Sequence, residues 1–187
     1  MRYIVFLGLP KEIEHKIDVV RKKFQAKSLS LWSSHITIKY DEDYALREKT
    51  FAKIVEHFYS NIKAINILVE KPKIVFMNNP VRWNIYLPVT SNYLRSLVRQ
   101  FSKSVEKFID TEAPGALTST RWEQSNAFQL HISLKGGMGK KEGQRTYNEM
   151  LKQDFSFEFP SSVLCSSVVI ARWDMKRWKK VSVIKLK

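Results

Sequence analysis

The chain has 187 residues, 44% of them hydrophobic and 12% aromatic, and a formal net charge of +14. That length and apolar content fit one domain or a pair of small lobes with a sizeable core, and they exclude a disordered or low-complexity chain. The charge points to an anionic partner: nucleic acid first, nucleotides next, an acidic membrane surface third. A single cysteine, Cys165, excludes an internal disulfide and suits a reducing compartment. The apolar run 3–10 is too short for a membrane helix and lacks a signal-peptide cleavage region, so a cytosolic protein is expected, or a nuclear one if the cell has a nucleus.

In chain order, residues 2–9 read as a buried strand that Pro10 ends. Residues 11–26 read as a helix with Ile13, Ile17, Val20 and Phe24 on one face. A polar loop, 27–34, carries Trp32. The strand from His35 ends near Tyr40. Asp43 is positioned to cap a second helix with Phe51, Ile54, Val55 and Phe58 as its stripe. Residues 64–69 and 73–77 read as strands, and Asn78-Asn79-Pro80 as a turn at mid-chain.

The second half repeats this order. A strand at 82–89 is followed by a helix that Ser91 caps and that runs to about 109. Residues 110–129 read as a long irregular loop holding Trp122, of the kind that is usually functional. A second strand starts at His131 and leaves through the glycines 136–139. A short helix and strands at 155–159, 163–173 and 178–186 complete the chain. The expected fold is α+β and bilobal: two pseudo-symmetric lobes of antiparallel sheet with outer helices and a central cleft. Lobe one is expected at about 1–79 and lobe two at about 80–187, with strands free to cross between them.

Two stretches stand out because they are copies of each other. His35-Ile36-Thr37-Ile38-Lys39 and His131-Ile132-Ser133-Leu134-Lys135 both read His, apolar, hydroxyl, apolar, Lys. Alternation along a strand puts His35, Thr37 and Lys39 on one face and the aliphatic residues on the other, and likewise His131, Ser133 and Lys135. Two opposed imidazoles suit proton transfer at a phosphorus centre, one neutral as base and one protonated as acid, since the ordinary histidine pKa lets both forms exist near neutrality. The hydroxyls of Thr37 and Ser133 and the ammoniums of Lys39 and Lys135 are placed to stabilise charge on non-bridging oxygens. Zinc would need three or four ligands, and neither strand offers a further His, Cys or carboxylate at useful spacing. The run Gly136-Gly137-Met138-Gly139 with Lys140 and Lys141 lacks the first glycine and the Ser or Thr of a nucleotide-binding P-loop. Trp32 and Trp122, in loops, are candidates for stacking a base.

The His-x-Thr and His-x-Ser pair, half a chain apart in equivalent strands, resembles the motifs of the two-histidine (2H) phosphoesterase superfamily. That group includes the RNA 2′,3′-cyclic phosphodiesterases first described as 2′-5′ RNA ligases. The opening Phe6-Leu7-Gly8-Leu9-Pro10 and the bilobal order are also similar to that family. The resemblance implies His35 and His131 as acid and base, Thr37 and Ser133 as phosphate ligands, no cofactor, no metal, a monomer, and an RNA or nucleotide substrate. It leaves 2′,3′-cyclic phosphates, 2′,5′-linked oligonucleotides and cyclic oligonucleotides open, and beside them a basic RNA-binding module without turnover.

Overall fold

The computed structural model describes residues 1–24, 33–78, 81–113, 117–125 and 128–187. The expected turn at Asn79-Pro80 and the position of Trp32 lie outside these. Among the described residues the strands are β1 (Arg2–Gly8), β2 (His35–Asp43), β3 (Ile65–Val69), β4 (Lys73–Asn78), β5 (Val81–Thr90), β6 (His131–Met138), β7 (Ser161–Cys165), β8 (Ser167–Trp173) and β9 (Trp178–Lys185). The helices are α1 (Lys11–Phe24), α2 (Glu48–Tyr59), α3 (Asn92–Val105), α4 (Thr118–Gln124) and α5 (Lys140–Met150), with a 3₁₀ turn at Glu106–Phe108.

The strands form two antiparallel sheets. One has the order β2-β1-β8-β9; in the other, β5 pairs with β6 on one side and with β4 and β3 on the other, and β7 follows β3. Each sheet therefore has the same plan: the histidine strand lies beside the strand that opens its half. The sheets do not divide the chain at mid-sequence. The C-terminal β8 and β9 complete the first sheet, while β3 and β4 from the first half belong to the second.

Period-two burial explains why each sheet has a core face. Tyr3, Val5 and Leu7 of β1 are fully buried in the main core, whereas Ile4 and Phe6 point to the other face and join a separate small cluster. The amphipathic helices pack where the strands are apolar: α2 on β8 and β9, α5 on β4 and β5, α1 against β6, and α3 against β2 and β3. In α5, Gly143 permits close approach, because a Cβ there would stand 2.9 Å from the Trp83 Cβ. Ser91 caps α3 as expected, its hydroxyl accepting from the Leu94 N–H at 3.3 Å.

Several local expectations need correction. Asp43 does not cap α2; it is the last residue of β2, paired with Arg2, and Arg47 is the N-cap without a side-chain bond. The run 163–173 is not one strand. β7 pairs with β3 and β8 with β1, so the chain changes sheets at Ser166. Residues 155–159 form no strand; Phe155, Phe157 and Phe159 alternate as a strand would, but their rings pack on one another with centroids 4.8–6.0 Å apart. The long loop 110–129 contains α4.

Candidate active site

β2 and β6 face each other where the lobes meet, and a small polar slot opens between them. It is lined by His35 and Thr37 from β2, His131 and Ser133 from β6, Ser34, and Arg21 from α1. The two halves are built alike in detail. Phe6 pairs with Thr37 and lays its ring 4.5 Å from that of His35. Tyr86 pairs with Ser133 and lays its ring 4.8 Å from that of His131. Each imidazole has a backbone carbonyl two residues upstream: His35 Nδ1 lies 2.8 Å from the Ser33 oxygen, and His131 Nδ1 lies 2.9 Å from the Gln129 oxygen. A carbonyl only accepts, so both Nδ1 atoms carry the proton, and each neutral ring keeps its lone pair at Nε2. Gln129 is itself fixed, its side-chain oxygen accepting from the Tyr86 hydroxyl at 2.8 Å.

Burial dominates the electrostatics of the pair. It pushes His35 down to about 4, with the nearby Arg21 and His131 acting in the same direction. Burial also pushes His131 down, opposed by the Gln129 carbonyl. Arg21 is 7% exposed and is held by Asp18, whose carboxylate accepts at 2.7 Å, and by the Ser34 hydroxyl at 3.1 Å. Asp18 also accepts from the Ser34 hydroxyl and backbone N–H, so α1 and the start of β2 are tied together beside His35.

Arg21 and Ser34 are the slot residues that sequence reasoning missed. A signal for Arg21 existed: it falls four residues after Ile17, on the apolar face of α1, where an unpartnered arginine would be costly.

The motif lysines are the main correction. Val5 pairs with Lys39 but Phe6 pairs with Thr37, so β2 carries one extra residue, Ile38, at a bulge. The bulge breaks the alternation that would place Lys39 beside Thr37. Lys39 is instead fully buried, with its Nζ 3.0 Å from Glu123 Oε2 and 3.0 Å from the Thr120 hydroxyl. Glu123 of α4 also accepts from the Tyr40 N–H and the Ser102 hydroxyl. Burial raises this carboxyl, and Lys39 is the largest opposing influence. The same bulge recurs in β6, where Ile85 pairs with Lys135 and Tyr86 with Ser133. Lys135 bonds Glu142 of α5 at 3.0 Å and does not line the slot. Neither lysine lines the slot, and each is paired with a carboxylate instead.

The two glycines directly after Lys135 are part of the strand. β6 continues through them to Met138, and Gly137, at φ +76°, donates its N–H to the Asn84 side chain at 3.0 Å. Trp122 sits in α4 with its ring edge-on to Tyr40 and Phe128, at 5.1 and 4.9 Å, and is 37% exposed. It is not among the residues lining the slot. A larger cavity, about 450 Å³, lies apart from the slot, between Leu68–Lys73, Tyr147 and Phe159-Pro160. Among the described residues no three His, Cys, Asp or Glu side chains gather as a metal site requires, and no helix is long and apolar enough to cross a membrane.

No protein-family model matches the sequence, and neither does any curated protein. Solved structures do match over the whole chain. TT0787 of Thermus thermophilus superposes with a TM-score of 0.62 at 10% identity, covering 100% of this chain and 98% of that one. LigT of E. coli in complex with 3′-AMP gives 0.59 at 12% identity, with 100% and 98% covered. Usb1 of Kluyveromyces marxianus gives 0.54 at 11% identity, with 99% and 98% covered. The chain thus shares the α+β fold of TT0787, LigT and Usb1, with its two antiparallel sheets, as the motif resemblance implied.

Proposed function

We propose that this chain is a 2H phosphoesterase that hydrolyses a phosphodiester at a ribose 2′ position, with a 2′,3′-cyclic phosphate at an RNA end as substrate and a 2′-phosphate as product. The observation that carries this reading is the repeat around one slot: two imidazoles, each locked by a carbonyl at Nδ1, each followed two residues later by a hydroxyl. One neutral imidazole takes a proton from water at Nε2 as the water oxygen bonds to phosphorus. The other, protonated, gives its proton to the 3′-oxygen as the P–O3′ bond breaks. Thr37 and Ser133 hydroxyls donate to the non-bridging oxygens, and the Arg21 guanidinium supplies the positive charge that the motif lysines do not. The chain's net charge of +14 favours a polyanionic substrate, and the similar LigT structure contains a nucleotide, 3′-AMP.

The test is hydrolysis of a short RNA ending in a 2′,3′-cyclic phosphate, in EDTA, with the product identified as the 2′-phosphate. Turnover is expected, with Thr37→Ala and Ser133→Ala each lowering kcat by about 10–100-fold, near the range for losing a donor to a developing oxyanion. Absence of turnover, with cleavage of 2′,5′-linked or cyclic oligonucleotides instead, would move the substrate and keep the mechanism. Loss of activity in EDTA that a divalent metal restores would overturn the acid–base scheme.

The pH dependence follows from the two shifts. Both histidines are displaced downward, so the free protein at pH 7 holds them neutral. The active form carries one proton on the pair. It is populated above about 4, where His35 loses its proton, and declines as pH passes the lowered value of His131. The profile of kcat/KM is expected to be a bell centred below the ordinary histidine value of about 6.5. A bound phosphodiester anion favours the imidazolium, so the alkaline limb of kcat should lie at higher pH than that of kcat/KM. A kcat/KM plateau extending to about pH 8, well above that ordinary value, would contradict this.

A further inference from the structure

The face of the first sheet that carries His35 and Thr37 extends away from the slot. Residues paired across adjacent strands share a face, and the register defines two rows. Thr37, Phe6, Val169 and Val183 form one; His35, Gly8, Ser167 and Lys185 form the other. The close fit of the second row is independent support, since a Cβ on Gly8 would stand 2.6 Å from the Ser167 hydroxyl oxygen. Further along, Ile4 pairs with Ala171 and Ala171 with Lys180, and Trp173 pairs with Trp178.

This face is distinct from the main core. Phe6, Val169 and Ala171 form their own buried apolar cluster, and Ile4 and Trp178 pack on it. The opposite face holds Val168, Ile170 and Ile184 in the main core and carries α2, whose Glu48 bonds Arg172 at 2.7 Å. Around that buried patch the face reaches the surface through the half-buried Gly8 and Ser167 and along β9, where it presents the half-buried Trp178 ring, the Trp173 ring 5.5 Å from it, a 48%-exposed Val183, and two exposed cations, Lys180 and Lys185. Glu14 of α1 is within electrostatic reach of Lys180.

The second sheet lacks this composition. Its matching positions carry Asn66, Leu68, Ser162 and Leu164, together with Lys73, which pairs with Tyr86 and lies 3.4 Å from Glu70, a carboxylate that also accepts from Thr90 at 2.7 Å. The pseudo-symmetry of the slot thus gives way to an asymmetry of the flanking surfaces: one carries two tryptophans and two exposed lysines, the other a lysine paired with a carboxylate and no tryptophan at these positions.

We infer that the surface residues of this face of the β2-β1-β8-β9 sheet, from Ser167 beside the slot to the β9 residues Lys185, Val183, Lys180 and Trp178, are a binding track for the single-stranded RNA that leads into the slot, with Trp178 as a stacking platform and Lys180 and Lys185 as phosphate contacts. The inference rests on the RNA substrate proposed above. Three strand spacings separate β2 from β9, roughly 14 Å, so the track extends beyond the nucleotide being cleaved. An indole face accepts any base, and the lysines that follow it along β9 contact the RNA backbone without reading sequence.

Binding can be measured without turnover, by fluorescence anisotropy of an eight-nucleotide single-stranded RNA with a plain 3′-phosphate, across a salt series. Trp178→Ala is expected to weaken binding about tenfold. The double variant Lys180→Ala/Lys185→Ala should reduce the slope of log K against log salt by about 1.4, near 0.7 for each phosphate that is no longer neutralised. Leu164→Ala, on the other sheet, should bind like the wild type. Thermal melts check that the variants fold, and the surface lysine pair keeps the test decisive if Trp178→Ala unfolds. If the wild type opens the cyclic phosphate but the variants bind RNA as tightly as it does, the track is wrong and the proposed reaction stands. If the wild type binds RNA with the expected losses but turns over no cyclic phosphate, the track stands and the proposed reaction is wrong. A wild type that binds no single-stranded RNA at low salt overturns the track.

Discussion

Replacing either His35 or His131 with alanine is expected to lower the rate of cyclic-phosphate opening by about a thousandfold, within the 10²–10⁴ range for losing a general acid or base. Both substitutions should cost similar amounts, because both imidazoles occupy the same slot in equivalent settings, each under an aromatic ring and each bonded to a carbonyl. The two act on one proton-transfer sequence, so the double variant should be little worse than either single one. Single-turnover rates at the pH optimum, with thermal melts alongside, give the measurement. A folded His35→Ala or His131→Ala protein keeping a tenth or more of wild-type kcat would remove that residue from the mechanism.

Glu123→Ala is expected to be the most destabilising single substitution outside the apolar core. It would leave the Lys39 ammonium, which is fully buried, without its carboxylate, and would also remove the acceptor of the Tyr40 N–H and the Ser102 hydroxyl. Breaking a buried pair by removing one partner costs about 3–5 kcal/mol. For a chain of this length that is a fall in Tm of roughly 10 °C. The double variant Lys39→Met/Glu123→Leu should recover most of the loss, since an apolar pair of similar volume is often at least as stable as a buried ion pair. Urea and thermal unfolding of the three proteins decide the matter. A single variant melting within about 2 °C of wild type, a shift worth less than about 1 kcal/mol, would show that the pair is not the clamp between β2 and α4 that its geometry implies.

These residues also mark where sequence reading succeeds and where it stops. The two histidine strands are legible because period-two alternation is a local property of a few residues, and the copy in the second half removes the ambiguity. Lys39 is misplaced for the same reason. Alternation assumes a regular ladder, and an extra residue in β2 is set by its pairing with β1, which no local pattern records. Arg21 sits in a helix whose apolar stripe is plain in the sequence, but its role depends on Asp18, Ser34 and the slot coming together in space. The change of sheet at Ser166 is hidden because two apolar strands meet there without glycine or proline to mark the break. The short helix α4 escapes notice because its residues, Thr118–Gln124, carry no extended apolar stripe.

The way the sheets share the chain has a consequence for biosynthesis. β1 and β2 are the first strands to be made, yet β1 is sandwiched between β2 and β8, and β9 closes the sheet beyond it. On the ribosome the first sheet must wait, with one edge of β1 open, until nearly the whole chain has emerged. The second sheet waits for β7, only a few residues earlier. Pairings between distant segments are slow to close, so neither lobe forms as an early, self-contained unit. A nascent chain stalled before β8 should remain open to protease and to chaperones that recognise bare strand edges, and a single cooperative transition should appear only once the last hairpin is out.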